Sequence, residues 1–191
     1  MKRYLPMVAI AFFLTGCVTT KQLPSTPPAP QVKLEEIKQW TLRGKLGIQY
    51  KEKGANANLD WRQENNNYVV KLSGPLGQGG LQIIGDESKV TLIDQKGKRV
   101  EVASLDAFFK KQFGWELPVQ CLTYWIKGVP ASGDQVQATY FENGKLKTLT
   151  QHDWHIEYQE YMTTPHGLLP QRLILRRPGT QLKIVIKQWE F

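Results

Sequence analysis

The chain has 191 residues, 41% of them hydrophobic and 22% charged, with a formal net charge of +8 and two cysteines. Its length suits one domain with a sizeable core. No basic run carries interleaved aromatics, so the positive charge points away from nucleic acid and fits either acidic partners and anionic lipid or simply solvated lysines on strand faces.

Lys2 and Arg3 open the chain, an apolar run extends from Leu5 to Leu14, and the small residues Thr15 and Gly16 precede Cys17. This is the layout of a secretory signal. Its apolar run is about half of the roughly 20 residues a helix needs to cross a bilayer. Leu14-Thr15-Gly16-Cys17 resembles the bacterial lipobox, which implies removal of residues 1–16 and lipidation of Cys17. An ordinary secretory signal ending near a cysteine is the alternative. Residues 17–32 follow as a tether in which Pro24, Pro27, Pro28 and Pro30 favour extended chain. At about 3.1 Å per residue, Val18 to Gln31 would reach at most roughly 45 Å. Val18 rather than Asp follows the cysteine, and resemblance to Gram-negative lipoproteins then implies the outer membrane, with the domain facing the periplasm. Removing 16 of the 191 residues leaves 175, and the net charge falls from +8 to +6 with the loss of Lys2 and Arg3. Setting the tether aside as well leaves a single domain over 33–191. With Cys17 lipidated, Cys121 has no internal partner and reads as a small buried apolar residue.

The domain opens on a short candidate helix around Leu34 to Gln39. Trp40 to Tyr50 then alternates, with Trp40, Leu42, Leu46, Ile48 and Tyr50 on one face and Thr41, Arg43, Lys45 and Gln49 on the other, the period of a half-buried strand. Further strands are expected at Ala55 to Arg62, Tyr68 to Ser73, Gly80 to Ile84, Lys89 to Asp94 and Lys98 to Glu101, with links too short for parallel crossovers. The pattern then changes period. Ser104 can cap a helix through Leu105, Phe108, Phe109 and Phe113 that stops at Gly114. A second helix takes Pro118 in its first turn, carries Val119, Leu122, Trp125 and Ile126 on one stripe and stops at Gly128. Alternation returns at Gln135 to Phe141, Leu146 to Gln151, Trp154 to Tyr161, Gln171 to Arg176 and Gln181 to Trp189.

About eleven antiparallel strands in one domain stack as a sandwich or curl into a barrel. Two helices with one apolar stripe each need an apolar surface to cover, and the concave face of a curled sheet offers one. A packed core and a hollow one both satisfy the pattern. No nucleophile elbow, phosphate-binding loop or His-Glu-x-x-His motif occurs. His152 and His155 are spaced to point to opposite faces of a strand, and Trp40, Trp61, Trp125 and Trp154 fall on apolar stripes where core packing is the common role. No enzyme, metal site or cofactor is expected. Ser73-Gly74-Pro75-Leu76-Gly77-Gln78-Gly79-Gly80 links two strands, and Leu76 is the large apolar side chain at its centre. It either folds inward or stands out as an apolar finger for lipid.

Gly74-Pro75-Leu76-Gly77, Leu117-Pro118 with Leu122, Trp125-Ile126, Gly128 and Pro130, then Gln151, Trp154, Ile156, Tyr158 and Tyr161, then Leu169-Pro170 and Trp189 occur in order after the lipobox. In these residues the chain resembles the LolB family of outer-membrane lipoprotein receptors over nearly all of the mature domain. Met162 to Gly167 and the tether match no pattern and receive no role. The resemblance implies an incomplete antiparallel β-barrel with a helical lid over a hydrophobic cavity. It implies a monomeric receptor that takes triacylated lipoproteins from the periplasmic carrier LolA and places them among outer-membrane phospholipids. LolA has no anchor, so Cys17 favours the receptor. Burial stabilises acyl chains by about 0.8 kcal/mol per methylene, so they must pass directly between apolar cavities. A difference of about 1.4 kcal/mol in affinity biases such a handover tenfold. On this reading Leu46, Ile48, Trp61, Val70, Leu72, Ile83, Phe109, Leu122, Trp125 and Ile126 line the cavity, and Leu76 assists release into the bilayer. The rival reading is an anchored module that binds a free lipid or other apolar ligand without a carrier.

Overall fold

The computed structural model describes residues 33–86, 88–113, 118–133 and 135–191. Cys17, the tether, and the expected helix stop at Gly114 with Leu117 lie outside them. A single 3₁₀ turn at Leu34–Glu36 replaces the expected short helix. Among the described residues eleven strands follow the expected alternation: β1 Gln39–Tyr50, β2 Lys53–Glu64, β3 Asn67–Ser73, β4 Gly80–Gly85, β5 Val90–Asp94, β6 Arg99–Val102, β7 Gln137–Tyr140, β8 Leu146–Gln151, β9 Trp154–Thr164, β10 Gly167–Arg177 and β11 Thr180–Glu190. Helices α1 (Leu105–Phe113) and α2 (Val119–Trp125) lie between β6 and β7 in the chain.

All strands pair antiparallel in one sheet of order β6-β5-β4-β3-β2-β1-β11-β10-β9-β8-β7. Each neighbour is a neighbour in sequence except at the β1–β11 seam. The free edges are β6 and β7, and the segment joining them carries both helices. The barrel is therefore open, with its lid strung across the opening.

One inward row shows how period two becomes a core. Leu42 faces Trp61 across β1–β2, Trp61 faces Val70, Val70 faces Ile83 and Ile83 faces Leu92. A second row runs from Ile48 through Leu182 and Leu175 to Ile156 and Leu149. An inserted residue shifts the alternation. Lys187 has no partner opposite Arg43 and Gly44, so Ile186 and Trp189 both reach the interior. A side chain at Gly44 would place its Cβ 2.1 Å from the Val185 carbonyl oxygen, which explains the glycine at this seam.

The segment without an expected role, Met162 to Gly167, extends β9 and begins β10. Met162 pairs with Leu169 and Pro170 with Tyr161 before the register shifts at Arg172. The fully buried Leu169 anchors this extension, and the bulge accommodates the proline that cannot donate to the ladder.

Candidate functional site

A clamp of buried hydrogen bonds holds the C-terminal half of the lid. At the C-terminal end of α2, the Trp125 indole donates to Gln151 Oε1 at 2.9 Å, and the Ala131 amide donates to the same oxygen at 3.0 Å. Gln151 Nε2 donates to the Ala131 carbonyl at 2.7 Å, and the Tyr158 hydroxyl donates to the Trp125 carbonyl at 2.9 Å. Gly128 ends the turn at φ 75°, where a Cβ would lie 3.1 Å from Pro170 Cγ and 3.2 Å from the Tyr161 hydroxyl oxygen. The Trp189 indole donates to the Pro170 carbonyl at 3.4 Å. Trp125, Ile126, Gln151, Trp154, Tyr158 and Leu169 are almost wholly buried around this clamp. Burial raises the hydroxyl pKa values of Tyr158 and Tyr161 well above that of free tyrosine. The residues that carried the family resemblance thus fix α2 to β8, β9 and β10.

Among the described contacts, helix α1 is fastened at its N-terminus. The Ser104 hydroxyl caps it by accepting from the Ala107 amide at 3.0 Å, as expected, and Asp106 accepts from the Val119 amide of α2 at 3.3 Å. Leu105 is its one fully buried residue among those described, while Phe108 and Phe109 are half-buried.

All ten residues expected at the cavity belong to the inward apolar set. Trp61, Leu122, Trp125 and Ile126 are buried in the main core, and Ile83 in a smaller cluster with Val90, Leu92 and Leu105. Leu46, Ile48, Val70, Leu72 and Phe109 are half-buried against them, and Val70 and Phe109 touch both clusters. The inner wall of β1 and β3 is therefore a partly accessible apolar surface, whereas the ground under α2 is packed solid. Leu76 does not fold inward. It is 86% exposed at the tip of a loop closed by the Gly74 amide donating to the Gln78 carbonyl and the Gly77 amide to the Gly74 carbonyl.

A recess of about 290 Å³ opens between the lid and the sheet at the opposite end, where the described chain begins. None of the ten expected residues lines it. Its walls include Gln63, Tyr68, Asp86, Asp106, Tyr124 and Lys127. Lys127 is 5% exposed; its ammonium donates to the Ile37 carbonyl at 2.9 Å and lies 5.3 Å from the centre of the Tyr124 ring. Burial pushes its pKa down to about 8, against the opposing pull of Glu35. Tyr68 is pushed up to about 12, by burial and then by Asp106 and Asp86. Sequence reasoning missed Lys127 and Tyr68. A lysine directly after an apolar stripe carries no local mark of burial, and Tyr68 looked like an ordinary strand start.

Comparison with known proteins accords with this arrangement. A family model described as outer membrane lipoprotein LolB matches residues 38–189. The outer-membrane lipoprotein LolB of Cellvibrio japonicus is 35% identical, the match covering 100% of this chain and 98% of that protein. That of Chromohalobacter salexigens is 31% identical over 98% of this chain and 89% of its own length. Among solved structures, a LolA superfamily protein from Nitrosomonas europaea is similar in fold, with a TM-score of 0.52 at 11% identity, covering 85% of this chain and 87% of its own. An open eleven-stranded barrel with a clamped helical lid, matched along nearly its whole length by these relatives, places the chain in the LolB family of outer-membrane lipoproteins.

Proposed function

We propose that this protein is held at the outer membrane by lipid on Cys17, faces the periplasm and acts without catalysis as a monomeric receptor. It takes triacylated lipoproteins from the carrier LolA and inserts them among outer-membrane phospholipids. The observation that carries the reading is an apolar inner wall only half covered by its lid, on a chain of the LolB family. Cargo acyl chains enter along Leu46, Ile48, Val70, Leu72 and Phe109. Deeper entry requires α1 to swing away from the cluster around Ile83, and Leu122, Trp125 and Ile126 to loosen from the main core that holds Trp61. Direction comes from affinity: a cavity that binds the same chains about 1.4 kcal/mol more tightly than the carrier's draws them over tenfold.

Leu76 supports the last step. A leucine 86% exposed on a glycine-rich tip forgoes burial in the fold and is free to enter the acyl boundary of a bilayer. Handover from loaded LolA, followed by transfer to vesicles, tests both parts. Leu76→Glu is expected to leave uptake and melting temperature unchanged and to slow delivery at least about tenfold. A folded wild-type protein that draws no lipoprotein from loaded LolA would defeat the receptor reading in favour of a module for free lipid.

A further inference from the structure

We propose that the barrel end bearing Leu76 is a docking surface for anionic phospholipid headgroups, with basic turns around the loop holding that end against a charged bilayer. The inference takes Leu76 as the delivery loop and adds the class of surface it meets.

The antiparallel meander brings the β1–β2, β3–β4, β5–β6, β8–β9 and β10–β11 turns to one end. Their contacts confirm it. The Lys51 amide donates to the Gly179 carbonyl at 2.8 Å, joining the β1–β2 and β10–β11 turns. Asn58 of β2 donates to the Gly74 carbonyl at the root of the leucine loop at 3.0 Å. The Gln95 side chain of the β5–β6 turn lies 3.5 Å from where a Cβ of Gly79 would stand.

The turns carry Lys51, Lys53, Lys96, Lys98, Arg99 and Arg177. Against them stand Glu52, Asp94 and Asp153, and Asp94 Oδ1 already accepts the Lys96 and Lys98 amides at 2.8 and 2.9 Å. On the barrel wall the arginines are matched: Arg43 with Asp60 and Glu190, Arg172 with Glu160, Arg176 with Glu157. Lys53, Lys96, Lys98 and Arg99 enter no such ion pair among the described residues. At the other end the charges are mixed, with Glu35, Asp86 and Asp106 beside Lys38 and Lys127 around the recess.

This chemistry fits a lipid surface better than an acidic protein. Lysines on separate turns are mobile point charges suited to a fluid field of phosphates. A single leucine among uncharged residues from Ser73 to Gly80 can enter a bilayer boundary but is a poor anchor for a protein pocket. Each basic residue near an anionic surface strengthens binding about fivefold.

The test uses the full lipidated chain, anchored through Cys17 in phosphatidylcholine vesicles. Labelled acceptor vesicles contain phosphatidylcholine alone or mixed with phosphatidylglycerol, and energy transfer reports bridging. Bridging is expected only to the anionic acceptors, falling as added salt screens the charges. Combined Lys51→Gln, Lys53→Gln, Lys96→Gln and Lys98→Gln should reduce it at least about tenfold, with thermal melting unchanged. Lys45→Gln with Lys183→Gln, on the exposed barrel wall, should leave it intact. Equal bridging of neutral and anionic acceptors, or full bridging by the fourfold variant, would overturn the proposal. So would a fourfold variant that bridges normally but draws cargo slowly from loaded LolA, which would assign the lysines to the carrier. A wild-type chain that bridges to anionic vesicles yet takes no cargo would remove the receptor function while leaving the docking surface standing.

Discussion

Gln151 is 2% exposed, and both ends of its amide are engaged, with the Trp125 indole and with both backbone groups of Ala131. Gln151→Leu keeps the volume and leaves these three groups unpaired. The expected cost is about 3 kcal/mol, read as a fall in melting temperature of about 6–12 °C for a domain this size. Lys127 predicts a pH dependence of opposite sense to that of the buried tyrosines. Its folded pKa of about 8 lies below the unfolded value of 10.5, so between them the unfolded chain binds more protons and stability rises with pH. Tyr68, Tyr158 and Tyr161 have raised folded values, so above about pH 10 the unfolded chain loses protons first and stability falls. Denaturant titrations should therefore show stability climbing from pH 8 to about 10, and Lys127→Met should abolish the climb. The motif residues at the clamp were legible in the sequence because a tryptophan, a glutamine and a tyrosine stand there at the spacings of the family pattern. Lys127 was not, because its burial depends on Ile37 and Tyr124, one of them 90 residues away.

The two helices differ in how they are fastened. Helix α2 ends in a clamp of buried hydrogen bonds, whereas α1 rests on a serine cap, one bond from Val119 to Asp106 and half-buried phenylalanines. Local opening starts where few buried contacts must break. Amide exchange should therefore be at least about tenfold faster at Phe108, bonded to the Ser104 carbonyl, than at Ile126, bonded to that of Leu122. Equal protection would mean that the lid moves as one piece. The strands were legible almost throughout, since inward rows such as Leu42, Trp61, Val70 and Ile83 write period two into the chain. The exceptions have a common cause. At Lys187 and around Pro170 an inserted residue shifts the parity, and β9 and β10 extend through Met162 and Leu169 because pairing, not local propensity, decides there.

Seen whole, the barrel has two unlike ends, with the first described residue, Lys33, near the recess and Leu76 at the basic pole. The twelve residues of β1 span at most about 40 Å, and the tether's reach of roughly 45 Å is of the same size. Under the proposed anchor at Cys17, the domain can turn its leucine loop toward the membrane that holds it. Deleting residues 20–27 should leave uptake of cargo unchanged and slow delivery from the anchored protein, with no effect on a domain released from its anchor. Transfer assays with both forms check this, and equal slowing of the two would refute it. The β1–β11 seam has a different consequence, one of timing. The middle of the sheet is built from the first strand and the last, so Thr41 waits for Glu190 before it finds its partner. A chain that crosses a membrane from its N-terminus has no completed inner wall until β11 has emerged. The apolar surface that receives a guest therefore comes into being only after the host has arrived on the side where guests are found.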